Sequence, residues 1–261
     1  LPELPDVETF RRYFDATSLH QEIEGVKVEA PRILSGVTAP DLEKALVGDQ
    51  FKSSQRVGKY LFAGLEKGLW IVFHFGMTGS FQYFKDPGDE PEHTVVLISF
   101  TKGYHLSFID IRKFGLISLT ESIDAFTSQK ELGPDALSIT EEEFHKLLEG
   151  RWGSVKSTLM NQSVLSGIGN IYSDEILFQA AIHPERNVDT LDEKTIHRLF
   201  TTIQEVLETA IDAGADIEKL PKSFIIPHRK KGGICPHCGE PLVSTPVNGR
   251  TAYYCPELQH R

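Results

Sequence analysis

Gly167-Ile168-Gly169-Asn170-Ile171-Tyr172-Ser173-Asp174-Glu175-Ile176-Leu177-Phe178 is the stretch on which the reading of this 261-residue chain turns. Two glycines in three residues let the backbone turn tightly and come close to another group. The residues from Ile171 to Ala181 carry helical signals, so backbone amides at the start of that helix can meet a phosphate. A glycine pair before a helix is weak by itself, because plain turn chemistry or a nucleotide loop gives the same pattern. Its meaning depends on what surrounds it.

Working outward, the second half of the chain is helical. Thr140 followed by Glu143 has capping-box spacing, and Phe144, Leu147 and Leu148 supply an apolar stripe. Further helical runs cover Val155 to Met160 and Thr195 to Ala213. From Ile225 onward, Pro227, Gly232, Gly233 and paired cysteines point to a small hairpin module. The first half is different: β-rich runs at Gly25 to Ala30, Lys59 to Leu65, Leu69 to Phe75, Thr94 to Phe100, Tyr104 to Asp110 and Gly115 to Leu119 predict a β-sandwich or barrel. Ahead of them, Pro5 opens a helix that carries Val7, Phe10 and Phe14 on one face. The expectation is an α+β multidomain protein: residues 1–125 an N-terminal helix on a β-sandwich, 126–224 a helical domain, 225–261 a hairpin.

Composition excludes several classes. With 40% hydrophobic and 25% charged residues the chain is neither disordered nor fibrous. No run approaches the roughly 20 apolar residues of a membrane span, and acidic and basic residues interrupt the first thirty positions, so a cytoplasmic protein is expected. A net charge of -10 argues against indiscriminate coating of nucleic acid, yet allows a DNA enzyme whose cations gather on one face. The three cysteines, Cys235, Cys238 and Cys255, all fall in the last thirty residues, which suits metal binding better than a disulfide framework.

The opening Pro2-Glu3-Leu4-Pro5-Asp6-Val7-Glu8-Thr9 resembles the PELPEVET start of the formamidopyrimidine-DNA glycosylase and endonuclease VIII family at every position but Asp6. Four further blocks follow in the family's order. Arg56-Val57-Gly58-Lys59-Tyr60-Leu61 resembles its catalytic-lysine segment. His74-Phe75-Gly76-Met77-Thr78-Gly79-Ser80 resembles HLGMSG, and Asp110-Ile111-Arg112-Lys113-Phe114-Gly115 resembles DPRRFG. Val155-Lys156-Ser157 and Leu159-Met160-Asn161-Gln162, then Gly167 to Phe178, resemble the helix–two-turn–helix signature. The resemblance spans Pro2 to Gln259.

It implies a DNA glycosylase with lyase activity that acts on double-stranded damaged DNA as a monomer, the DNA lying in a cleft between domains. Pro2 would be the nucleophile: a free N-terminal secondary amine attacks sugar C1′, displaces the oxidised base and leaves an iminium that permits β- and then δ-elimination. Glu3 would exchange protons as the sugar opens, and Lys59 would contact the lesion or the next phosphate. Met77, Arg112 and Phe114 would enter the duplex where the nucleotide is turned out, an apolar wedge filling the hole while the guanidinium meets the orphaned base. His74, Lys156, Asn170, Tyr172 and Arg250 would be further DNA contacts. Leu1 precedes Pro2, and an amide nitrogen is no nucleophile, so activity requires its removal, either through initiation with Met at a non-ATG codon or through proteolytic trimming. If Leu1 is retained, the alternative is a non-catalytic binder of damaged DNA.

The resemblance also implies a zinc finger, but Leu258 stands where the family has its last cysteine. Cys235, Cys238 and Cys255 are three ligands, and His260 or His237 would have to complete a tetrahedral set. Otherwise Tyr253, Tyr254 and Val247 pack a metal-free hairpin. Only about twenty residues separate Ala213 from Cys235, where relatives that accept 8-oxoguanine carry a longer segment over the base. Ring-opened purines and oxidised pyrimidines are therefore expected ahead of 8-oxoguanine.

Overall fold

The computed structural model describes residues 2–260. They form two compact units: one takes Asp6 to Glu131, with Pro2, and the other takes Glu3–Pro5 and the chain from Leu132 onward.

In the first unit, helix α1 (Leu4–Ser18) continues from Asp6 with Val7 and Phe14 fully buried, and the Phe10 ring lies 4.5 Å from Phe75. The seven-residue spacing of Val7 and Phe14, with Phe10 between, puts all three on one helix face. Two four-stranded antiparallel sheets follow. One runs in the order β1 (Ile23–Val28), β6 (Thr94–Phe100), β7 (Tyr104–Asp110), β5 (Gly79–Phe84); the other runs β2 (Phe51–Val57), β3 (Tyr60–Leu65), β4 (Trp70–His74), β8 (Leu116–Thr120). Their inner faces share one core in which Ile98, Phe100 and Phe108 meet Leu61, Ile71 and Phe73. The expected sandwich is thus present.

Four elements are additional to the sequence reading. Strand β2 is mostly polar along Lys52-Ser53-Ser54-Gln55-Arg56, and β5 begins at the end of the His74 to Ser80 motif and runs on through residues given no strand in the sequence reading. Helix α2 (Ala39–Leu46) starts at Thr38, whose hydroxyl accepts from the Asp41 amide. Lys59, expected on a strand, instead sits in the two-residue turn that closes the Val57–Tyr60 pair between β2 and β3. Gly58 has φ +56°, and a left-handed glycine in the first central position suits such a turn. Helix α3 (Ile123–Gln129), capped by Ser122, ends this unit.

The second unit is helical. Helix α4 (Glu141–Leu148) begins with the expected capping box: the Thr140 hydroxyl accepts from the Glu143 amide, and the Glu143 carboxylate accepts from the Thr140 amide. Helices α5 (Val155–Met160), α6 (Asn170–Gln179) and α7 (Glu193–Asp212) follow. On α7, Ile196, Leu199, Ile203, Val206, Leu207 and Ala210 are buried at spacings of three and four, and they join Ile168, Ile176 and Leu177 in one core.

The tail forms a hairpin of β9 (Val243–Val247) and β10 (Arg250–Tyr254). Its turn is Asn248-Gly249, both with positive φ, the pairing that matches the twist of a two-residue hairpin. Cys235, Leu242 and Cys255 make a small core with Ile225 and with Phe178 of α6. Among the described residues, no helix is long and apolar enough to cross a membrane.

Candidate active site

Glu3 is fully buried, and its placement explains the glycine-rich signature. One carboxylate oxygen accepts from the Gly169 amide at 2.8 Å and the Tyr172 amide at 3.1 Å; the other accepts from Ile171 at 2.8 Å. These donors sit at the start of α6, where helical amides lack intrahelical partners and the helix dipole favours a negative charge. The sequence reading assigned these amides to a phosphate; in the structure they hold Glu3. Gly167 has φ +114°, and a Cβ there would lie 2.5 Å from Leu4 Cδ1, so a side chain would push the Glu3 segment away. The Leu4 amide also donates to the Gly167 carbonyl. The glycine at 167 is therefore a docking surface for residues 3 and 4.

Lys156, expected to grip a phosphate, is fully buried instead. Its ammonium donates to Asp174, to Ser173 Oγ at 3.0 Å and to the Asn170 carbonyl at 3.2 Å. Burial pulls its pKa below the ordinary lysine range, and the Asp174 carboxylate opposes that pull. The second Asp174 oxygen accepts from Arg229 Nε at 2.8 Å and from the Tyr253 amide at 3.0 Å. Asp174 thus ties α5, α6, the residues after α7 and the hairpin together, a role that the sequence reading missed. Tyr172 is buried in the helical core, and Asn170 is half-buried at the first position of α6. Burial also pushes the Glu175 carboxyl up to about 7, although the Ile225 and Ile226 amides donate to it.

In the first unit, Pro2 and Lys59 are half-buried. Leu1 lies outside the described residues. The His74 ring stands 4.9 Å from that of Tyr60, and its Nδ1 accepts from the Gly76 amide at 3.3 Å. Burial, with Lys59 and Lys130 nearby, lowers its pKa to about 4. His74 is therefore neutral at pH 7, with Nε2 carrying the proton and able to donate.

The three wedge candidates are exposed: Met77 at 37%, Phe114 at 57%, and Arg112, whose guanidinium stacks 4.9 Å from the Phe114 ring. Their loops are fixed from below by the fully buried Asp110, which accepts from Thr78 Oγ1 at 2.5 Å, the Arg112 amide at 3.2 Å and the Gly115 amide at 2.6 Å. Gly76 binds the loops side by side, since a Cβ there would come within 2.5 Å of the Gly115 backbone. The sequence motif alone does not reveal this role of Asp110; an aspartate closing a strand before a reversal is the signal that marks it.

Arg250 begins β10 immediately after the hairpin turn and is exposed. The sulfurs of Cys235, Cys238 and Cys255 lie within 4.8 Å of one another, with Cys238 and Cys255 3.5 Å apart. Three close sulfurs can bind a metal. His260 does not complete the set: among the described residues only the three cysteines converge, and His260 is exposed. His237 also stays out, its ring packed 4.9 Å from Phe178. Leu258 packs against the small core, and Gln259 bridges the Cys255 amide and the Ile182 carbonyl at 2.9 and 2.8 Å.

Comparison with known proteins agrees with this geometry. Residues 1–117 match the family profile described as formamidopyrimidine-DNA glycosylase N-terminal domain, and residues 132–221 match that of the formamidopyrimidine-DNA glycosylase H2TH domain. The formamidopyrimidine-DNA glycosylase of Pelotomaculum thermopropionicum is 33% identical over 273 residues, covering 99% of each chain. That of Pelobacter propionicus is 34% identical over 269 residues, covering 99% of this chain and 100% of the relative. Among solved structures, the Lactococcus lactis Fpg in complex with abasic-site DNA superposes with a TM-score of 0.90 at 29% identity and full coverage of both chains. The same TM-score is found for the Lactococcus lactis protein bound to DNA containing N7-benzyl-Fapy-dG.

Proposed function

Because this chain belongs to the formamidopyrimidine-DNA glycosylase family, we propose that it excises oxidised bases from duplex DNA and cuts the strand through a covalent intermediate on Pro2. The observation that carries the reading is the locked Glu3 carboxylate. Three backbone amides fix this carboxylate in place. Held so, on the residue covalently next to the nucleophile, it is positioned to exchange a proton with the reacting sugar.

The Pro2 nitrogen, freed of Leu1, attacks C1′; the C1′–base bond breaks and the base leaves with a proton. Ring opening gives an iminium, which makes the C2′ proton acidic. Loss of that proton expels the 3′ phosphate, and a second elimination expels the 5′ phosphate. Glu3 holds and moves the protons, while Lys59 and neutral His74 bind the phosphate flanking the lesion, one as a cation and one through Nε2–H. Met77, Arg112 and Phe114 fill the space the target nucleotide vacates. Asn170 and Arg250 contribute contacts to the DNA backbone.

Cys235, Cys238 and Cys255 would hold a zinc ion through three sulfurs, donors that suit this metal, with the fourth position filled by a ligand other than His237 or His260. Bound there, the metal would brace the hairpin that presents Arg250. The segment between α7 and the cysteines is packed, with Leu220, Phe224 and Ile226 in the helical core. That supports ring-opened purines and oxidised pyrimidines as substrates ahead of 8-oxoguanine. The protein works in the cytoplasm as a monomer on this reading. A duplex with one formamidopyrimidine tests it: the expected products are the free base and a one-nucleotide gap bounded by phosphates. An uncut strand with the base in place overturns it.

A further inference from the structure

Trp152 has 82% of its surface exposed, an unusual position for a large aromatic ring. It stands between Gly150, with φ +65°, and Gly153, with φ +104°, so a tight loop between α4 and α5 displays the indole. The ring borders a cavity of about 730 Å³, a volume in the range of small-ligand sites. Arg151 and Arg250 line the same cavity together with Ser157, Asn161 and Asn248, and among the described residues no carboxylate lines it. In a chain of net charge -10, a concavity lined by two arginines, one of which also donates through Nε to the Leu147 carbonyl, and by no acid among the described residues favours an anion.

Resting on the DNA-binding reading above, we infer that this cavity takes one unpaired nucleotide of a DNA strand, its base stacked on Trp152 and its phosphate paired with Arg151 and Arg250. An exposed indole offers a π-face to any base, guanidinium groups match phosphate oxygens, and side-chain amides fit base edges. Cutting the strand favours such a nucleotide, because the end nucleotide loses its covalent neighbour and can fray from the duplex. None of its lining residues takes part in the bond-breaking steps.

The chain has two tryptophans, so Trp70→Phe leaves Trp152 as the only indole reporter. Titrating that variant with an oligothymidylate, and with a duplex carrying a one-nucleotide gap, should quench its emission. Trp152→Ala should weaken binding of the gapped duplex by roughly tenfold, and Trp152→Phe should restore most of it. An unchanged emission together with affinities within twofold overturns the inference, provided that the same protein binds an abasic-site duplex. Quenching by thymidine monophosphate at the concentrations that suffice for the oligomer overturns the strand assignment in favour of a mononucleotide site. A protein that binds no abasic-site duplex fails at the underlying functional reading instead.

Discussion

Replacing Asp174 with Asn removes the carboxylate that joins the helices to the hairpin while keeping its shape. Both partners are buried without exposure, and Arg229 is 11% exposed. In the variant, the Lys156 ammonium keeps only Ser173 Oγ, the Asn170 carbonyl and an uncharged amide. Breaking a buried pair by removing one partner costs about 3–5 kcal/mol. At roughly 2–4 °C per kcal/mol for a protein of this size, the melting temperature should fall by about 10 °C. The pH dependence has a definite sign. Burial already depresses the Lys156 pKa, and loss of Asp174 depresses it further. A base with a lowered folded pKa carries its full penalty below that pKa and sheds it as pH rises toward the unfolded value. The deficit of Asp174→Asn should therefore be largest at neutral and acid pH and shrink on the alkaline side. Adding Lys156→Met should recover more than half of it by removing the unpaired charge. Calorimetry of the full chain at pH 6, 7.5 and 9 measures this. A melting temperature within about 2 °C of the parent at all three values would refute the claim that Asp174 holds the second unit together.

His74, lowered to about 4, should show a neutral imidazole at pH 7 by NMR, and the stability it contributes should be present above its unfolded pKa near 6.5 and lost as pH falls toward 4; a midpoint near 6.5 would contradict the burial argument. Arg112→Ala and Phe114→Ala should leave the melting temperature unchanged, since both side chains are exposed, while flattening the preference among opposite bases by roughly tenfold in binding assays. Equal single-turnover rates on 8-oxoguanine and formamidopyrimidine duplexes would remove the proposed substrate order, which requires faster excision of the ring-opened base.

The sandwich and the helical unit were legible because their strands alternate or run apolar, as in Leu69 to Phe75, and because Thr140 and Glu143 mark a helix start. Strand β2 was not legible: only Phe51 and Val57 are apolar in Phe51–Val57, and its partner β3 supplies the buried face. Lys59 could be picked out by its motif, but the turn that presents it depends on the register of β2, which the sequence reading lacked. Lys156 has the same character. The family resemblance implied a phosphate contact for it, and only the fold brings Asp174, eighteen positions on, against its ammonium. Likewise, glycine-rich turns before a helix mark an anion site in general, whereas the anion that fills this one is Glu3, distant in sequence from Gly169. Local pattern identifies chemistry well, but pairing between remote segments decides which partner satisfies it.

The central claim is that Pro2 becomes covalently joined to DNA, and borohydride trapping on a duplex with a single abasic site addresses it directly, with intact mass defining the N-terminus of the same preparation. The account predicts a stable adduct that maps to Pro2 in protein lacking Leu1, and none in protein that retains it. Absence of an adduct with Pro2 confirmed as the first residue, or an adduct mapped to a lysine, would contradict it.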